Sequence, residues 1–189
     1  MAKSVTQELL ALLDYVHDRL SGQLKGLGDD EYLWEPVPGC WTVHLDEDGV
    51  HRAQRTYPNP VPAPFTTIAW RTWHIGAECL HGYSVRFFGD APGPEDADDR
   101  RWPGSPDEAV ATLFRAWARL REQIAAMDAE ALSRPMGPIA GPYAEDTYHA
   151  LVLHVLDELI HHSAEIGVVR DLYRAAEGVA LPVKAGPDE

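Results

Sequence analysis

Apolar residues return at three- and four-residue intervals in four separate stretches of this chain, which is the spacing of one buried helical face. The first carries Leu9, Leu10, Leu13, Val16 and Leu20 behind Ser4-Val5-Thr6-Gln7, a capping-box sequence, and predicts helix 1 over 4–26. The second starts at Thr66 or Thr67, runs through Ile68, Trp70, Trp73, Ile75, Leu80, Tyr83 and Phe87, and stops at Gly89. The third opens on Ser105-Pro106-Asp107-Glu108, with a serine cap, proline at the first helical position and glutamate where a capping box places it. It continues through Val110, Leu113, Phe114, Trp117, Leu120 and Ile124. The fourth and longest begins at Asp146 or Thr147 and passes Leu151, Val155, Leu159, Ile166, Val169 and Leu172 to Gly178.

Proline, glycine and acidic residues punctuate the segments between, at 28–64, 90–104 and 128–143. The first is much longer than the ~2–8 residues usual between bundle helices. It holds Trp34, Trp41 and the prolines Pro58, Pro60, Pro62 and Pro64, and is expected to cover a site, with the two tryptophans as packing anchors. Its alternation at Trp41-Thr42-Val43-His44-Leu45 has room for a short strand, but no other stretch supplies a sheet. The expected architecture is therefore all-α: a four-helix bundle with a long loop between helices 1 and 2. The run Glu95, Asp96, Asp98, Asp99, Arg100, Arg101 reads as solvated loop.

At 189 residues the chain fits one domain, 1–189, large enough to bury a core without structural metals. Any metal is then expected to be functional. Sixteen Lys plus Arg against thirty Asp plus Glu leave a formal charge of -14, which repels phosphate backbones and anionic lipid and argues against nucleic acid as a partner. No apolar run approaches bilayer-spanning length. Cys40 and Cys79 lie far apart, and Met1-Ala2-Lys3-Ser4 leads into an amphipathic pattern and not a signal sequence, so a cytoplasmic location and no membrane association are expected.

The candidate chemistry lies on helices 2 and 4. Glu158 and His162, four residues apart, project ~40° apart on a helix wheel and one turn apart along the axis. The stripe Leu151, Val155, Leu159, Ile166 and Val169 places His162 inside the buried face and Glu158 at its margin, with His154 and His161 pointing further out. A glutamate beside a buried histidine is costly to desolvate alone, and a divalent cation offsets that charge. On helix 2, α-helical geometry gives His74 a face shared with Trp70, Glu78 and His81. His74 and His81 are ~10 Å apart in rise, so only one of them can bind the same ion directly. His74, behind Trp70 and Trp73, is the expected one. The same wheel puts Cys79 on another face, as an inert buried thiol. Cys40 shows no activating partner, and His17, His44, His51 and His149 read as ordinary surface or loop residues.

Leu33-Trp34-Glu35-Pro36-Val37-Pro38-Gly39-Cys40-Trp41, the stretch around Trp73-His74-Ile75, and helix 4 over 158–173 together resemble the DinB-like superfamily across nearly the whole chain. The resemblance implies a four-helix bundle in which one histidine of helix 2 and two helix-4 ligands spaced by four hold a divalent metal. His74, Glu158 and His162 match those positions. Many members carry His-x-x-x-His on helix 4, whereas Glu158 stands in the first position here, which looks like the mycothiol-dependent maleylpyruvate isomerase branch.

Two histidines and a carboxylate suit zinc first, with nickel, iron or manganese also accommodated. The leading expectation is a metal-dependent thiol S-transferase or isomerase that activates a low-molecular-weight thiol toward a small-molecule substrate, because an open metal position stabilises thiolate near neutral pH. A metal-dependent hydrolase is the alternative within enzymology, and a non-catalytic metal- or ligand-binding stress protein, its metal saturated by a fourth ligand such as His154 or His81, is the alternative outside it. Family members are often dimeric, and the exposed aromatics allow a homodimer. Glu165 and His161 read as surface polar residues one turn from the ligands, and Arg170 receives no role.

Overall fold

The computed structural model describes residues 2–89 and 98–178. Helix α1 spans Val5–Leu24. A single turn, α2, follows at Asp29–Tyr32, then strands β1 (Val43–Leu45) and β2 (His51–Ala53). The second long rod is composite: α3 (Ile68–Trp73), a π-helical segment at His74–His81, and α4 (Gly82–Phe88). Helix α5 spans Pro106–Ala125, α6 is a short turn at Ala129–Ser133, a 3-10 turn covers Pro138–Tyr143, and α7 runs over Tyr148–Ala176. The four long rods form the expected all-α bundle: α1 packs on α5 and α7, and the composite rod packs on the same two helices. One core cluster joins them, including Leu13, Leu20, Trp73, Leu113, Trp117 and Leu159.

The helix ends follow local chemistry. The Ser4 hydroxyl accepts from the Gln7 amide while the Gln7 side chain accepts from the Ser4 amide, a complete capping box. Thr67 and Thr147 cap α3 and α7 through their hydroxyls, and Gly89 closes α4 at a φ of 78°, a left-handed position glycine occupies without strain. The Ser105 box does not form: its side chain makes no capping hydrogen bond, and the start of α5 relies on Pro106 and on Asp107 and Glu108 beside the positive end of the helix dipole.

Two expectations are corrected. Helix 2 is not a uniform α-helix, and the 28–64 segment does contain a paired strand. In that hairpin Val43 pairs with Ala53 and Leu45 with His51. The hairpin is held by residues 98–102: Ala53 N–H donates to Arg100 O, Trp102 N–H donates to His51 O, and the Arg52 guanidinium pairs with Asp98 as well as with Asp46 and Asp48 of the hairpin's own turn. Asp98 and Arg100 are thus docked and not merely solvated, while Glu95 and Asp96 lie outside the described residues. Trp41 anchors the loop as expected. Its amide donates to Phe65 O and its carbonyl accepts from Thr67 N–H, placing the ring 5.6 Å from that of Trp70.

Arg170 also acquires a structural role. It is 3% exposed, on α7, and its Nε and Nη2 each donate at 2.7 Å to the two oxygens of buried Glu31 on α2. Nη1 reaches the carbonyls of Gln23 in the last turn of α1 and of Lys25 at its C-cap. One guanidinium therefore satisfies the end of α1 and pins α2 to α7.

Candidate metal centre

His74, Glu158 and His162 meet between the composite rod and α7. His74 Nε2 lies 3.3 Å from Glu158 Oε2, and His162 Nε2 lies 3.2 Å from the same oxygen. All three side chains are partly buried, at 21%, 23% and 12% exposure respectively. Trp70 stacks on the His74 ring with the planes 11° apart, which fixes that ring from behind.

The opposite nitrogen of each imidazole is also held by a carboxylate. His74 Nδ1 is 2.7 Å from Glu78 Oε2, and His162 Nδ1 is 2.6 Å from Glu165 Oε2. An ionised carboxylate only accepts, so each Nδ1 carries the proton. In neutral rings both Nε2 atoms then present bare lone pairs to a carboxylate oxygen, and only a cation or added protons relieve that repulsion. The spacing fits an ion: ligand atoms ~2.0–2.2 Å from a tetrahedral metal lie about 3.3–3.6 Å apart. The observed separations of 3.3 and 3.2 Å lie at the short edge of that range.

Burial alone pushes the Glu158 carboxyl up, but the His74 hydrogen bond and the charges of His162, His74 and His154 bring it below its ordinary value. Glu165 behaves alike: burial raises it, and the His162 hydrogen bond with the charges of Arg71, His162 and His161 lowers it overall. Arg71 Nε pairs with Glu165 Oε2 at 2.8 Å, and its Nη1 sits 3.3 Å from His162 Nδ1. The shorter Glu165 contact takes the His162 proton. Glu165 is therefore not an ordinary surface carboxylate, as its sequence position had suggested, but the residue that orients His162. His161, Glu165 and His162 also cluster closely enough to hold an ion, yet the Arg71 guanidinium already occupies the cation position there.

The π-helical segment rearranges the remaining candidates. Gly82 N–H donates to Ala77 O, five residues back, and such i→i+5 bonding widens the turn to about 4.4 residues, ~80° each. Over seven residues His81 swings away from His74 and lines a cavity of about 880 Å³ with Ala77, Gly82 and Trp102, so His81 leaves the expected shared face while Trp70 and Glu78 remain on it. Over five residues Cys79 swings toward His74, from ~140° away in an α-helix to ~50°. Cys79 Sγ lies 3.9 Å from His74 Nε2 and 3.8 Å from Glu158 Oε2. Cys79 is buried as expected, but its expected placement on another face is corrected, because α-helical arithmetic fails in this segment. Burial first, then the charges of Glu158 and Glu78, push the thiol well above its ordinary pKa in the metal-free site.

His154 is half exposed. Its Nε2 lies 3.9 Å from Glu158 Oε1 and 3.1 Å from Tyr83 Oη. Together with Phe87, Tyr143 and Leu151, these two residues line a second cavity of about 380 Å³. Cys40 has its own partner, the Val37 carbonyl at 2.9 Å. No helix among the described residues is long and apolar enough to cross a membrane.

A family profile described as the DinB superfamily matches residues 12–166. A solved structure, the conserved protein of locus from Enterococcus faecalis, aligns at a TM-score of 0.53 over 90% of this chain and 98% of that one, with 18% identity. At that identity the likeness speaks for the fold alone. No curated protein matches.

Proposed function

Because the chain belongs to the DinB superfamily, and because two histidines and a glutamate converge in its bundle, we propose that His74, Glu158 and His162 hold a divalent metal, zinc foremost. We further propose that the protein is a thiol-dependent S-transferase or isomerase acting on a small electrophile. The observation that carries the metal assignment is the pair of Nε2 atoms facing one Glu158 oxygen while both Nδ1 protons are committed to Glu78 and Glu165. When bound, a zinc ion supplies a Lewis-acid position that lowers the pKa of a coordinated thiol or water.

This chain's residues do the rest. Glu78 and Glu165 fix the tautomer and orientation of the two imidazoles and raise their basicity. Arg71 holds Glu165 in place. Trp70 blocks rotation of His74 and shields it from water. Tyr83 and His154 link the Glu158 carboxylate to the cavity of about 380 Å³. Its aromatic and apolar walls suit a small organic electrophile, with Tyr83, His154, Arg86 and Asp146 among its polar groups.

Two measurements test this reading. Metal content of untagged protein, compared with His162→Ala, tests the ligands: equal content in both removes the assignment. Consumption of mycothiol, bacillithiol or glutathione with a generic electrophile tests the chemistry. Turnover without added thiol would assign hydrolysis instead, and no turnover above the metal-free protein with either removes the transferase.

A further inference from the structure

Three ligands leave a tetrahedral ion one position short, and the Cys79 thiol lies beside two of the three. Cys79 is 2% exposed, and its sulfur faces two of the three ligand atoms, at 3.9 Å from His74 Nε2 and 3.8 Å from Glu158 Oε2. For sulfur ~2.3 Å and nitrogen or oxygen ~2.0–2.2 Å from a common tetrahedral ion, the edge between them is about 3.5–3.7 Å. The two separations are within a few tenths of an ångström of that edge. The sulfur thus touches a ligand on each of two rods, and in the metal-free site its S–H donates to Glu158 Oε2, the oxygen that both imidazoles also face. The π-helical turn is what brings the sulfur to this side of the rod. Such turns are frequent at functional sites.

We infer that Cys79 is a fourth protein ligand, closing a His74, Glu158, His162, Cys79 centre selective for a thiophilic divalent ion. The inference rests on the reading that the first three residues hold an ion. On coordination the S–H bond breaks, its proton leaves to solvent, and the sulfur lone pair forms the new bond. No oxidant or reductant is involved. The mixed nitrogen, oxygen and sulfur set favours zinc, cobalt or nickel over magnesium, calcium or manganese. It also gives the external thiol a competitor: an incoming thiol must displace Cys79 to reach the ion, so the resident sulfur holds the site closed until substrate arrives.

Cobalt(II) added to metal-stripped protein is the direct probe. Visible d–d bands report that the ion has bound, and a near-ultraviolet thiolate-to-cobalt charge-transfer band reports sulfur among its ligands. The expected result is both bands in the wild-type protein with no thiol added. Cys79→Ser should lose the charge-transfer band, keep the d–d bands and bind cobalt about ten-fold or more weakly, a change of ~1.4 kcal/mol. Cys40→Ser should keep every band. Wild-type d–d bands without charge transfer overturn the inference and leave the three-residue site standing, as does charge transfer that survives in Cys79→Ser. Absence of d–d bands in the wild type overturns the three-residue site and this inference with it. The wild-type spectrum decides the matter even where a variant folds poorly.

Discussion

The rings of His74 and His162 stand 4.6 Å apart at 86° to one another. Perpendicular rings turn their Nε2 edges inward and their Nδ1 edges outward, so each histidine needs its own carboxylate behind it. Glu78 stands four residues after His74 on the composite rod, and Glu165 three residues after His162 on α7. The site is thus a pair of carboxylate–imidazole arms closing on Glu158.

Glu78→Gln and Glu165→Gln should each weaken metal binding about 10–100-fold, the usual effect of losing an outer carboxylate. An amide keeps a hydrogen bond to Nδ1 but removes the charge that makes the ring a better donor. Competition against a chromophoric chelator measures this. Affinities equal to wild type would show that the outer carboxylates do not act on the ion.

Zinc should raise the unfolding temperature of the wild-type protein and leave His162→Ala unmoved. A ligand bound only by the folded state stabilises it by about 2.7 kcal/mol at one hundred times its dissociation constant. Scanning calorimetry with and without chelator reads the difference, and a shift of equal size in both proteins would place the zinc elsewhere.

In the metal-free protein Glu158 and Glu165 both titrate below their ordinary values despite burial. A carboxylate depressed by folding contributes stability above its unfolded pKa, and loses it as the pH falls through the folded value. Denaturant unfolding from neutral pH into the acid range should therefore show a decline that is shallower in Glu165→Gln. Parallel acid limbs for the two proteins would show that the Glu165 contacts with His162 and Arg71 contribute nothing to folding.

Arg170→Ala should cost about 3–5 kcal/mol, because it leaves Glu31 charged, buried and unpaired. Replacing both partners, Arg170→Met with Glu31→Leu, should recover most of that loss. Urea midpoints at constant m-value test the pair, and a single variant as stable as wild type would mean that water reaches Glu31.

Gly76 faces Trp102 so closely that a Cβ would lie 2.4 Å from the indole Cη2. That ring is held by a hydrogen bond from its Nε1 to Thr72 Oγ1 at 3.1 Å. Gly76→Ala should cost ~1–3 kcal/mol by overpacking and, by pushing on the π-helical segment, reduce metal affinity as well. A lowered melting temperature with unchanged metal binding would show that the segment yields without moving His74.

The amphipathic periods of the chain determine the four rods, because burying an apolar stripe is a demand each segment makes on its own. Glu158 and His162 were legible for the same reason, being four residues apart on one regular helix. Pairing them with His74 rested on its place behind Trp70 and Trp73 and agreed with the family resemblance, and the bundle brings the three within reach of one ion. The outer carboxylates were half visible: Glu78 shares the His74 face, but nothing local reveals that Glu165 turns to His162, since Arg71 holds it from another rod. Arg170 was equally opaque, as its partner lies 139 residues away. Cys79 is the clearest case of what tertiary structure alone decided. Reading it from sequence requires a fixed angle per residue, and the middle of helix 2, packed against α5 and α7, takes a wider turn than its sequence period assumes. Local periodicity set which faces are buried; the place where one helix departs from its regular winding set which atoms meet.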